Sequence, residues 1–363
     1  MLVEYYYSLY LFVLTILCFN CFTKYNGRDG GVTYIENSNA TRWLLLVVCL
    51  YIGLRPVDGP GVAKAFGDTV VYTAHYKNLI GIPFEFSMDV ENLLFDNLFN
   101  FWAANDLGIT SFYLLFSFIY FFAAYIAIKK MFPSNVFAVM LVFLTAFSTY
   151  SASVNGIKAG AAGSLFILAL AYRTNLYAAI PLVLLSFGIH HSMQVLMVAF
   201  VCTLLYNKPK WYYVLWLICL VLSFLHIGYF QVLFASYTDE KGAGYLLYDG
   251  SDWGGKSVGF RLDFVIYSAM PILMGWYSIY KRKIVNKLYN VMLCTYILVN
   301  AIWLLCMYAQ FTNRIAYLSW FLYPIVLVYP CFDSNFGSDR YRFFAKIAAL
   351  HLAFTLFMHI IYY

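Results

Sequence analysis

Residues 188–192 read GIHHS, two adjacent histidines between apolar runs. Imidazole titrates near neutral pH and can take a proton from an attacking hydroxyl. Adjacent residues on a helix point about 100° apart, so the two rings are not expected to serve one point equally. His190 is expected as the base, with His191 beside it. A hydrogen-bonded histidine in a structural turn is the alternative. The stretch FGDTVVYTAHY (66–76) supplies a second candidate base, Asp68, with Thr69, Tyr72 and His75 nearby. Asp68 also reads as a sugar-binding carboxylate or as a solvated loop residue.

Four cations stand at the ends of apolar runs. Arg55 closes one in LRPVDGP, where Pro56 biases it out of helix. Lys158 opens one in SASVNGIKAGAAGS, Arg314 lies in AQFTNRIAYLSW, and Arg261 precedes Asp263 by two residues. Charges inside a bilayer are costly and are functional candidates by default. At a span end, lysine and arginine also snorkel to water. The chemistry open to such cations is to hold a phosphate, or to stabilise a leaving group as negative charge develops on it. Arginine does so with two parallel hydrogen bonds.

Those residues are carried by a chain of 363 residues that is 63% hydrophobic and 11% charged. A soluble domain carries about 25% charged residues. Apolar runs near the ~20 residues of a membrane span recur throughout. The reading is an all-α polytopic membrane protein, a single transmembrane domain over 1–363. Twelve spans are expected, near 5–23, 41–55, 107–128, 132–150, 156–173, 174–189, 191–206, 211–234, 261–280, 288–308, 313–330 and 343–361. The first is expected as a retained span, because Glu4 precedes it rather than a basic segment. Gly156, Gly160 and Gly163 are expected to let helices approach Lys158 closely.

Lysine and arginine bias sets the orientation. Lys129 and Lys130, Lys208 and Lys210, the 281–287 cluster and Arg340 to Lys346 fall in alternate loops, expected to be cytoplasmic. The other side keeps Arg55, Lys64, Lys77, Lys158, Lys241, Lys256, Arg261 and Arg314, together with most of the acids. Orientation does not explain these cations. Both termini and two long loops, 56–106 and 235–260, are expected on that outer side. In MDVENLLFDNLFNFW, Asp89, Asn92, Asp96 and Asn100 share one helical face, and Val90, Leu94, Leu98 and Phe101 another. That pattern suits a helix in the membrane interface. Residues 174–206 cross twice within 33 positions, so GIHHS is expected below the outer surface. An outward-facing cavity floored by the histidines and Arg55 would follow.

The sequence has no P-loop, nucleophile elbow or HExxH, and no histidine–cysteine cluster with metal spacing. No cofactor and no metal are expected. The eight cysteines lie in or beside apolar runs and read as small core residues. The net charge of +6 is scattered, which excludes a nucleic-acid footprint.

The order of motifs resembles that of the EpsG-type, Wzy-like exopolysaccharide and O-antigen polymerases. The resembling residues are Arg55, then Gly67, Asp68, Thr69 and Tyr72, then Glu91 and Phe95. Asn155, Gly156, Ile157 and Lys158 follow, then Phe187, His190, His191 and Ser192, and last Arg314 and Tyr317. Lysine stands at 158 where the family pattern has arginine, and FGDT lacks the threonine that follows glycine in that pattern. The resemblance implies a GT-C-like glycosyltransferase that adds glycan carried on undecaprenyl pyrophosphate to the next lipid-linked repeat unit. It places the work on the outer face of a bacterial inner membrane and makes a chain-length regulator a further partner. Arg55, Lys158, Arg314 and Arg261 would hold pyrophosphate. Tyr72, His75, Glu91, Asn155, His191 and Tyr317 would hold sugar, and His190 or Asp68 would act as base. A flippase for the same lipids, or an acyltransferase acting on surface polysaccharide, are the alternatives.

Overall fold

The computed structural model describes residues 3–28, 35–36, 38–235, 244, 246–247, 259–309 and 312–362. All regular structure among them is helical. The chain divides into two compact units, Met1–Gln194 with Cys331–Tyr363, and Val195–Pro330.

The first unit contains α1 (Tyr6–Asn26), α2 (Ser38–Gly53), α3 (Val62–Ala65), α4 (Gly67–Leu79), α5 (Leu93–Ala104) and α6 (Ile109–Met131). It continues through α7 (Val136–Leu144), α8 (Phe147–Val154), α9 (Ile157–Ala171) and α10 (Leu176–Ile189). The second unit contains α11 (Met193–Leu205), which begins just before the division, α12 (Pro209–Phe224), α13 (Tyr229–Ala235) and α14 (Leu262–Trp276). It ends with α15 (Lys287–Leu305), α16 (Thr312–Trp320) and α17 (Tyr323–Val328). The last helix, α18 (Arg340–Tyr362), returns to the first unit.

Every expected span falls on an apolar helix or a bent pair of helices, but not all are full-length. Among the described residues, five helices are long and apolar enough to cross a membrane, or up to eight if each bent pair is one span. The expected span 132–150 is the pair α7 and α8, which turn by 70°. The turn comes where the Thr145 N–H donates to the Leu141 carbonyl, the Ala146 N–H donates to the Phe143 carbonyl, and Ala146 goes extended. Four segments are apolar helices of only 10–17 residues. The 15 residues of α9 reach about 22 Å at 1.5 Å each, against a hydrocarbon core of about 30 Å.

The first long loop is largely helical, because α3, α4 and α5 lie within it. Helix α5 starts four residues after the expected polar stripe begins, so Asp89 and Val90 precede it and Asn92 is its N-cap. Its buried positions are Phe95, Asn97, Phe99 and Ala103, while Leu94 and Phe101 are exposed. Aromatic packing decides this. Phe95 meets Phe112 and Phe116 edge-on at 5.4 and 4.9 Å, and Phe99 meets Phe112 at 5.1 Å. Such pairs contribute about 0.5–1.5 kcal/mol beyond area burial. Most of the second long loop, 235–260, with Lys241 and Lys256, lies outside the described residues.

Several polar side chains inside each unit are paired with one another, which lowers the cost of burying them away from water. In the second unit Trp216 donates to Asn300 at 2.7 Å, Asn300 donates to Ser319 at 3.0 Å, and Trp320 donates to Ser268 at 2.8 Å. In the first, His351 and the Val142 carbonyl lie 3.1 Å apart.

Glycine sets two close approaches to backbone atoms among the described residues of the first unit. A Cβ at Gly160 would lie 2.8 Å from the Ala152 carbonyl, so Gly160 lets α9 pack closely against α8. A Cβ at Gly53 would lie 2.7 Å from the Leu114 Cα, on the backbone of α6. Gly53→Ala is expected to lower the melting temperature in detergent, in line with the roughly 1–3 kcal/mol typical of overpacking. Gly27→Ala, whose new Cβ would meet nothing closer than 3.8 Å, is expected to melt like the parent protein.

Candidate active site

Helix α4 turns FGDTVVYTAHY into two faces. Thr69, Thr73 and Tyr76 point into the unit and are buried. Asp68, Tyr72 and His75 recur at spacings of four and three on the other side, as one helical face requires. The Asp68 N–H donates to Asn155 Oδ1 at 3.3 Å, which joins the start of α4 to the break between α8 and α9. Tyr72 packs against Phe95 and Phe99 with ring centres 5.9 and 6.2 Å apart. His75 stacks on Phe99 at 5.5 Å. Burial pushes the Tyr76 phenol above its ordinary value, and the neutral hydroxyl accepts from Gly108 at 2.9 Å and donates to the Trp102 carbonyl at 3.2 Å.

Arg55 is not poised as an exposed phosphate clamp. It is 1% exposed. Its Nε donates to Thr69 at 3.0 Å, Nη1 to the Ile52 carbonyl at 3.0 Å, and Nη2 to the Val154 carbonyl at 3.3 Å. The guanidinium carbon lies 4.0 Å from the centre of the Tyr113 ring. Thr69 donates on to Val154, and Tyr113 donates to the Thr69 carbonyl. A guanidinium keeps its proton in proteins, so these acceptors must stay with it. Arg55 braces the ends of α2 and α8 against the start of α4.

Six polar residues meet where α5, α9 and the turn after α10 converge. Lys158 is the second residue of α9, at the positive end of the helix dipole, where a cation is disfavoured and an anion is welcome. Asp96 Oδ1 lies 3.3 Å from Lys158 Nζ, and both side chains are about a quarter exposed, at 22% and 26%. Lys158 Nζ also sits 4.8 Å from the centre of the Phe95 ring. The other Asp96 oxygen accepts from the Asn92 N–H at 2.8 Å and faces Asn92 Nδ2 at 3.4 Å. Asn92 is 1% exposed. Its Oδ1 accepts from the His191 N–H at 3.1 Å and lies 3.3 Å from Nδ1 of both His190 and His191. His191 Nδ1 is also 3.3 Å from Glu91 Oε1.

Lys158, Glu91, His190 and His191 thus come together around Asn92 and Asp96, with Tyr72 and His75 joined to α5 through Phe95 and Phe99. Asn92 and Asp96 had been visible only as part of a polar stripe. A sharper signal was present: asparagine opens the helix, and a carboxylate four residues on reaches back to its N–H, as the acidic half of a capping box does.

Arg261, Arg314 and Tyr317 belong to the second unit. Arg261 pairs with Asp263 through two contacts, at 3.0 and 2.7 Å, and its guanidinium lies 3.7 Å from the Phe264 ring centre. Arg314 is exposed on α16, and Tyr317, one turn on, is buried and accepts from Asn313 at 3.3 Å.

The sequence model of the EpsG family matches residues 38–363, most of the chain. No curated protein and no solved structure matches.

The brace and clamp roles of Arg55 separate in one measurement. Arg55→Lys keeps the charge but loses the flat, three-point donor set. It is expected to lower the melting temperature without any substrate, in line with a loss of about 1.5–3 kcal/mol for hydrogen bonds to a charged group. An unchanged melting temperature would return Arg55 to a role in substrate binding.

Proposed function

The chain belongs to the EpsG family of Wzy-like polysaccharide polymerases, and on that premise we propose that it is a multi-pass, GT-C-like glycosyltransferase of a bacterial inner membrane. Its substrates are repeat units carried on undecaprenyl pyrophosphate, joined into O-antigen, capsule or exopolysaccharide on the outer face. The acceptor hydroxyl oxygen attacks the anomeric carbon of the donor glycan. The bond from that carbon to pyrophosphate breaks, and its electron pair stays on the departing phosphate oxygen. The hydroxyl proton passes to His190.

One observation supports this reading above the rest. Lys158 stands at the N-terminus of α9 and shares the Asn92–Asp96 pair with both histidines. Helix dipole and ammonium act with the same sign there, and together they favour an anion. The Asp96 carboxylate fills that role in this structure. A lipid pyrophosphate would engage the same ammonium as its charge develops. His190 is preferred to Asp68 as base because its ring contacts Asn92, which shares Asp96 with Lys158. Glu91 and His191 share this network, and with Tyr72 and His75, which pack on the Phe95 and Phe99 rings, they are assigned to the sugars.

The test is elongation of a purified lipid-linked repeat unit by the reconstituted protein. A ladder of longer glycans is expected, and movement of substrate between leaflets without a ladder would refute the polymerase reading. Lys158→Met is expected to lower the rate about 10²–10³-fold, the usual cost of removing one preorganised donor. Lys158→Arg is expected to retain elongation.

Arg314 is assessed separately, as a cation of the second unit proposed to hold lipid pyrophosphate. Arg314→Ala is expected to abolish elongation with normal yield and melting temperature. Full activity in that variant would remove it from the proposal.

A further inference from the structure

The Asn92 amide lies between the two histidines and the one carboxylate that also holds Lys158. Its orientation follows from its neighbours. Oδ1 faces the backbone N–H of His191, which can only donate. Nδ2 faces Asp96 Oδ2, and an ionised carboxylate can only accept. A flipped amide would set donor against donor and acceptor against acceptor. Asn92 Oδ1 is therefore an acceptor toward any ring nitrogen that approaches it.

A carbonyl oxygen has two lone pairs, and three nitrogens surround this one. The His191 N–H takes one. The His190 and His191 rings compete for the other, but His191 Nδ1 has a second acceptor, Glu91 Oε1, at 3.3 Å. His190 Nδ1 is then the natural ring donor to Asn92, and His191 Nδ1 the donor to Glu91. In neutral imidazole a proton on one nitrogen leaves the lone pair on the other, and the partner of the first nitrogen decides which form is held.

We infer that Asn92 is a positioning residue that holds His190 in the Nδ1–H form, so that Nε2 carries the lone pair. This inference rests on the proposed role of His190 as base for its consequence in catalysis, but the tautomer stands on geometry alone. A buried asparagine here does for one imidazole what a buried carboxylate does in a hydrolase triad, where loss of the right tautomer costs orders of magnitude in rate. Being neutral, the amide orients the ring without adding a further charge beside Glu91, Asp96 and Lys158. The same amide is steadied by Asp96, so the ring that takes the proton and the cation proposed to meet the leaving group share one anchor.

The experiment is NMR of the full-length protein in lipid nanodiscs with ¹⁵N-labelled imidazole rings. The His190 signals are assigned from His190→Gln and His191→Gln. Neutral His190 is expected to show a protonated Nδ1 and an unprotonated Nε2. Asn92→Asp keeps an acceptor and is expected to keep that pattern. Asn92→Leu removes the acceptor and is expected to move His190 toward the Nε2–H form and to slow elongation about 10²-fold or more, the scale of general base catalysis. A wild-type ring protonated on Nε2, loss of the Nδ1–H form in Asn92→Asp, or an unmoved tautomer in Asn92→Leu would overturn the inference. A moved tautomer with unchanged elongation would refute His190 as base and leave the tautomer assignment standing. If Asn92→Leu does not fold, the wild-type and Asn92→Asp spectra decide the matter.

Discussion

Arg55 carries a charge that it cannot lose, and much of the first unit is arranged around it. A buried charge is tolerated only when hydrogen-bonded or paired. Here the Ile52 and Val154 carbonyls and the Thr69 hydroxyl supply the acceptors, and the Tyr113 ring covers one face of the guanidinium. Meeting those acceptors draws the ends of α2 and α8 and the start of α4 to one point, with α6 alongside. Asp68 directly precedes Thr69 on α4, and Asn155 follows Val154. The brace therefore sets where the chain enters α9, and with it the position of Lys158.

A second set of constraints works at lower burial. Lys158 lies at the wrong end of a helix dipole for a cation, so it needs an anion nearby. Asp96 supplies one and uses its other oxygen for the Asn92 N–H. Asn92 in turn serves the histidine turn after α10. Each member satisfies the polar needs of the next, which is how partly buried charges and imidazoles persist beside aromatic packing. The arrangement is suited to anion binding and proton transfer at one place.

Much of this was legible from residue types. Apolar runs located the helices and the cations at their ends. The break of α7 from α8 was hidden, because Thr145 and Ala146 read as continuous helix and only their carbonyl contacts and backbone angles mark the turn. Which face of α5 meets the rest of the unit was hidden as well. Leu94 and Phe101 look more like core than Asn97 does, yet Asn97 is buried because it accepts from the Ser87 N–H and donates to the Ser87 and Leu93 carbonyls. A polar residue that satisfies several backbone groups can lie inside, and hydrophobicity alone does not report that.

The sequence by itself determined a helical, multi-pass membrane chain and a motif order resembling the family to which it belongs. Apolar length and charge placement are local properties, and so are short motifs. Only the tertiary structure decided what each charged residue does. Arg55 and Lys158 look alike in sequence, one cation at the end of one apolar run. The fold encloses the first among carbonyls from as far as 99 residues away, and sets the second beside a carboxylate 62 residues earlier in the chain. His190 and His191 differ for the same reason, because their ring partners come from a segment almost 100 residues distant. Hydrogen-bond partners at such separations are chosen by packing, and no local pattern of residues records that choice.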